Sequence, residues 1–127
     1  MDNQKCMLIF GMDTEEKTII SNVTEPKRGD RIVEISDTMI NMTIGDIIGG
    51  LKFDIVSKEA VPQEKIILFN NYSDDELESS LKAIREQLQS KPIFAVVTET
   101  SINWTFKELL KHLIEEREWY KTAKRGK

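Results

Sequence analysis

The chain alternates short unbroken apolar runs with longer segments in which apolar residues return every three or four positions. Cys6-Met7-Leu8-Ile9-Phe10 and Ile66-Ile67-Leu68-Phe69 are runs of strand length with polar flanks. Such runs predict strands buried on both faces. Each is followed by an acidic helix start: Asp13-x-x-Glu16 and Ser73-x-x-Glu76 match the capping box, in which two side chains satisfy helix-end amides reciprocally. After Glu76, residues Leu77, Leu81, Ile84 and Leu88 lie on one helical face. The helix after Glu16 is shorter, with Ile19, Ile20 and Val23 on its apolar side and Pro26 with Gly29 ending it. Residues 32–35 and 93–97 read as a second pair of strands, the latter opened by Pro92. A final helix carries Phe106, Leu109, Leu110, Leu113, Ile114, Arg117 and Tyr120 on one stripe. Its counterpart after Thr43 is short and broken by Gly49-Gly50. Residues 51–64 join the two parts and contain Phe53, Ile55 and Val56, so a packed connection is expected there.

The two parts repeat. Offset by 62 residues, Thr38-x-Ile40-Asn41-x-Thr43 lies on Thr100-x-Ile102-Asn103-x-Thr105, and similar residues continue on both sides. The order of pieces is the same in each half: apolar run, acidic helix start, apolar run, T-x-I-N-x-T, apolar-periodic segment. The expected fold is therefore α/β. Two β-α-β-α repeats related by pseudo-two-fold symmetry form one four-stranded sheet, with helices packed on it. Residues 1–127 make a single domain of two repeats, about 5–50 and 65–121. Each strand–helix–strand unit should be parallel. The strand order should be 2-1-3-4, with the sense in which the halves join left open.

Composition narrows the function classes. The formal charge is −4, which argues against nucleic acid as a partner, since duplex binding rests on a strongly basic face. The charge is uneven: residues 1–64 carry 7 basic and 12 acidic groups, residues 65–127 carry 11 and 10, and the last seven residues alone carry +4. A single cysteine, Cys6, excludes an intramolecular disulfide framework, and with a single histidine, His112, it makes a zinc site implausible. No metal and no cofactor is expected. The apolar runs are too short to span a membrane, and no targeting pattern precedes them, so no membrane partner and a cytoplasmic location are expected.

The T-x-I-N-x-T motif sits between a strand and a helix in both halves. Thr105 with Glu108, and Thr43 with Asp46, have capping spacing, and Trp104/Leu109 and Met42/Ile47 have the spacing of a hydrophobic staple. Capping leaves Thr100, Asn103, Thr38 and Asn41 over. These polar groups could bond their own turn. Alternatively, Thr100, Asn103, Trp104, Thr105, Thr38, Asn41 and Thr43 could bind a small anionic ligand beside helix N-terminal amides, at the strand ends where open α/β sheets hold ligands. No catalytic set is found. There is no nucleophile motif, P-loop or dinucleotide fingerprint. The acids Asp74-Asp75-Glu76 and Glu115-Glu116 read as solvated helix surface. Met7, Met12, Met39 and Met42 read as core filling. Trp119, Tyr120 and Lys121 open the basic C-terminal stretch and are candidate interaction residues, for a homodimer or a protein partner.

Ile67-Leu68-Phe69, Ser73-Asp74-Asp75-Glu76-Leu77 and then Ala95-Val96-Val97-Thr98-x-Thr100-x-x-Asn103-Trp104-Thr105-x-x-x-Leu109 resemble a bacterial family called domain of unknown function 3783, most clearly in the C-terminal half. The resemblance implies a bacterial source and a domain boundary, and no activity. The expectation is a small binding or regulatory module that self-associates without catalysis, with the anionic-ligand site as the alternative.

Overall fold

The computed structural model describes residues 5–23, 31–50 and 63–125, and the side chains of these as far as residue 122. The expected end of the first helix at Pro26 and Gly29, the packing of Phe53, Ile55 and Val56, and most of the C-terminal basic stretch lie outside the described residues. The described residues are mixed α/β and form a four-stranded sheet and four α-helices. Strands are β1 (Cys6–Phe10), β2 (Ile32–Ile35), β3 (Ile66–Asn70) and β4 (Ile93–Val96). Helices are α1 (Thr14–Val23), α2 (Ile44–Ile48), α3 (Asp74–Gln87) and α4 (Phe106–Arg125).

The strand order is β2-β1-β3-β4, as the sequence pattern predicts. β1 runs parallel to β2, and β3 runs parallel to β4. The halves meet antiparallel through β1 and β3, with Leu8 opposite Leu68 and Ile9 opposite Ile67. Every residue of β1 and β3 is buried, which is why both read as unbroken apolar runs rather than alternating ones. Alternate side chains then supply two cores. Leu8, Phe10, Ile66 and Leu68 pack beneath α2 and α4, with Phe106 4.8 Å from Phe10 between ring centroids. Met7, Ile9, Ile67 and Phe69 pack beneath α1 and α3, against Ile20 and Ile84. Met7, Met12 and Met42 are buried core residues.

Both sequence-predicted capping boxes form. In the first, the Asp13 amide donates to Glu16 at 3.0 Å and the Glu16 amide donates to Asp13 at 2.8 Å. The Ser73–Glu76 box repeats this at 3.0 and 3.2 Å. The glutamates also reach across to the opposite half: Lys65 donates to Glu16 at 2.7 Å, and Lys5 donates to Glu76. Asp74 and Asp75 are exposed as expected, but Glu76 is half-buried. The expectation of a purely solvated acidic surface is corrected for Glu76 because the lysine entering β1 lies beside it. Each of these strands exits through a left-handed residue, Gly11 at φ 78° and Asn71 at φ 63°. Glycine is required at position 11, where a Cβ would sit 2.0 Å from the carbonyl oxygen of Glu64.

Candidate functional site

Two places collect the candidate residues. The first is where the T-x-I-N-x-T loops meet. After β2 and after β4 the chain makes a short 3-10 turn, at Asp37–Met39 and Ser101–Asn103, before its next helix. The loops then pair with each other. Thr43 bridges Thr105 in antiparallel fashion, with the Ile44 amide donating to Trp104 and the Phe106 amide donating to Met42, each at 2.9 Å. Thr43 accepts from the Asp46 amide at 3.1 Å and caps α2. Thr105 and Glu108 form the expected box, with amide bonds of 3.0 and 3.1 Å. The Thr105 amide and hydroxyl hold the Glu108 carboxyl below its ordinary range.

The amides an anion would need at the start of α4 are already committed. Phe106 donates to Met42, Lys107 to Ile40, Glu108 to the Thr105 hydroxyl and Leu109 to the Thr105 carbonyl. The leftover polar groups do not converge. Asn103 is exposed and donates to the Glu99 carbonyl at 3.4 Å, Thr38 bonds the Ser36 hydroxyl at 2.9 Å, and Asn41 and Thr100 face solvent. The structure therefore brings Thr43, Trp104 and Thr105 together as a joint between halves, and leaves Thr38, Asn41, Thr100 and Asn103 at its rim. A further polar element is Thr98 with Ser101. The Thr98 amide donates to Ser101 at 2.9 Å and the Ser101 amide donates back at 3.0 Å, which makes the turn after β4 self-contained.

The second place is a groove of about 550 Å³ between β4 and α4, lined by Ile93 to Val96 on one side and by Trp104, Leu109, His112, Leu113 and Tyr120 on the other. It exists because β4 is an edge strand. The Ile93 amide donates to Lys65, just before β3, and the Val97 amide to Phe69 within it, so alternation turns the Phe94 and Val96 amides outward. Val96 is 49% exposed. Trp104 stands edge-on to His112, with ring centroids 5.4 Å apart, and His112 lies 3.5 Å from Glu116. Arg117 anchors the helix over the groove through two bonds to Glu64, at 2.7 and 2.8 Å. The guanidinium holds the Glu64 carboxyl below its ordinary range, and Arg117 itself is pushed up by the same partner.

The sequence-predicted interaction residues sit at the end of this groove. Trp119 and Tyr120 are 67% and 62% exposed, with ring centroids 5.7 Å apart, and Lys121 is exposed beside them. Tyr120 continues the apolar stripe of α4 as the pattern predicts, and it lines the groove while remaining 62% exposed. Sequence reasoning missed Val96 and the Glu64–Arg117 anchor. The first had a signal, an apolar residue on the outermost strand. The anchor had none, since its partners lie 53 positions apart.

Among the described residues, no group of three His, Cys, Asp or Glu side chains could hold a metal ion, and no helix is long and apolar enough to cross a membrane. Residues 65–120 match the model of the family described as Domain of unknown function (DUF3783). No curated protein and no solved structure matches the chain.

Proposed function

We propose that this chain is a bacterial, cytoplasmic binding or regulatory module that works by self-association and not by catalysis. The observation that carries this reading is the placement of Trp119 and Tyr120, 67% and 62% exposed, on a helix end that projects past the core beside an apolar groove. Large exposed aromatics in one patch favour a protein contact, because they bury much area at little conformational cost. The lone thiol of Cys6, fully buried in β1 and raised in pKa by that burial, suits a reducing compartment and an inert packing role.

The same proposal includes a duplication: one domain made of two β-α-β-α units with a pseudo-two-fold axis. Three reciprocal contacts favour it. Leu8 and Leu68 trade places under such an axis, which exchanges Met7–Phe69 with Ile9–Ile67, Ile44–Trp104 with Met42–Phe106, and Lys5–Glu76 with Lys65–Glu16. The anionic-ligand reading has less behind it, because the first-turn amides of α4 already donate within the chain. Light scattering after size exclusion tests self-association, comparing the full chain with a version truncated after Glu118. The full chain should run above its 14.7 kDa monomer mass and the truncation at monomer mass. Monomers in both cases refute the reading.

A further inference from the structure

The sheet has two edges, β2 and β4, and they are guarded unequally. Glu34 on β2 stands opposite Ile9, and Val96 on β4 stands opposite Phe69. Ile9 and Phe69 each follow a member of the central Leu8–Leu68 pair, so the two edge positions correspond. One holds a carboxylate tied to Lys17 at 2.6 Å, the other an apolar side chain 49% exposed. A charge on an edge strand discourages pairing with a further strand. β4, Ile93-Phe94-Ala95-Val96, carries none. Its outward hydrogen-bonding groups are also confined. Phe94 and Val96 turn their amides and carbonyls away from β3. One step further out in either direction the edge stops, because Pro92 has no amide hydrogen and the Thr98 amide already donates to Ser101. A second copy of β4, laid antiparallel, exchanges a full set of bonds only with Phe94 opposite its Val96, which sets Ala95 opposite Ala95. That register also joins opposite charges. Lys91 lines the pocket that holds Phe94 and Arg85, and Glu99 lines the pocket that holds Val96. Phe94 against the second copy's Val96 therefore brings Lys91 toward its Glu99. Both are exposed, and neither has an ion-pair partner among the described residues.

We infer that β4 is an isologous interface, in which two copies join their β4 edges antiparallel about a two-fold axis at Ala95 and so continue one sheet through both. This rests on the self-association proposed above and names the surface that carries it. The two-fold makes each match twice: Phe94 with Val96, and Lys91 with Glu99. Backbone bonds and the covered Val96 side chains hold the pair, and the flanking charges fix its register. The axis crosses the sheet, so the two grooves between β4 and α4, each lined by its Tyr120, lie side by side on one face.

Sedimentation equilibrium should show the parent chain as a dimer. Val96→Lys, at an exposed position, sets a cation against the second copy's Phe94, whose ring carries Arg85 5.2 Å away. It should weaken dimerisation at least about tenfold while far-UV circular dichroism stays that of the parent. Lys91→Glu and Glu99→Lys should each weaken it about tenfold alone, since each sets like charges together twice, and the two mixed should recover a one-to-one dimer. Ala95→Cys should form an intermolecular disulfide on mild oxidation, because residues opposite each other in a non-hydrogen-bonded antiparallel pair stand ~4.5 Å apart between Cα atoms. Cys6, fully buried, does not compete, and Glu15→Cys, exposed on α1, should not cross-link. Three results each overturn the β4 interface and leave self-association standing: a Val96→Lys variant that dimerises as well as a dimeric parent, charge variants that are unaffected or unrestored by mixing, and Glu15→Cys cross-linking as fast as Ala95→Cys. A monomeric parent chain, which would leave the edge to an extended segment of another protein, overturns both.

Discussion

Glu16 offers the sharpest check on how the two halves are joined. Its residue is 7% exposed, and its carboxylate accepts from Lys65, from the Ser90 hydroxyl and from the Asp13 amide. Burial alone would push its pKa up. The bonds from Lys65, Ser90 and Asp13 together outweigh that and hold it at about 2, against an ordinary 4.5. A carboxyl whose folded pKa is depressed stabilises the fold above its unfolded pKa, and that contribution is lost as pH falls through the folded one. The window is therefore pH 4.5 down to about 2. Converted in full, the difference has a ceiling near ~3 kcal/mol. Lys65 is 39% exposed and shares its charge with water, so about 1–2 kcal/mol is expected from the charge itself. Glu16→Gln keeps the shape and the bonds from Asp13 and Ser90 while removing that charge. Urea unfolding at pH 7 should show the variant about 1–2 kcal/mol less stable than the parent. The gap should close almost fully by pH 2. Equal gaps at pH 7 and near pH 2, or no gap at pH 7, would refute the assignment of this stability to an ionised Glu16.

Two further substitutions probe local geometry. Gly11→Ala should be severely destabilising, by more than about 2 kcal/mol, since φ is 78° and the new Cβ would meet the Glu64 carbonyl at 2.0 Å; Gly50→Ala, at φ 82° with no described residue within contact of the new Cβ, should cost only about 1 kcal/mol. Equal losses in urea melts would show that the close approach at Gly11 is unimportant. Thr105→Ala should lose about 1 kcal/mol with the α4 cap, whereas Asn103→Ala should stay within about 0.5 kcal/mol, both by thermal unfolding. A large loss at Asn103 would point to a role for that side chain beyond its weak bond to Glu99.

Much of the architecture was legible because its determinants are local. β1 and β3 announce themselves by five-residue apolar stretches, since a strand buried on both faces has no polar side to alternate. The capping boxes at Asp13 and Ser73 are legible because both partners lie within four residues. The same locality explains the T-x-I-N-x-T motif: capping by Thr43 and Thr105 could be read from spacing, and the candidate ligand role could not be weighed without knowing where the helix-end amides go. Two of them go to the other half of the chain, to Met42 and Ile40, and two to Thr105.

What the sequence determined by itself is therefore the main strands and α-helices and the aromatic end of α4, because burial pattern and capping chemistry are written over stretches of a few residues; the strand order it only suggested, through the repeat. Tertiary structure alone decided that the halves meet antiparallel along β1 and β3, that Lys5 and Lys65 each secure the other half's helix start, and that the groove beside β4 is open. The first two depend on contacts between residues 49 to 71 positions apart, where any lysine or carboxylate would serve until the packed sheet brings one pair within reach. The exposure of Tyr120 belongs to the same class. Its place on the apolar stripe is sequence; that it lines an open groove instead of a closed core is decided by how α4 packs beside β4.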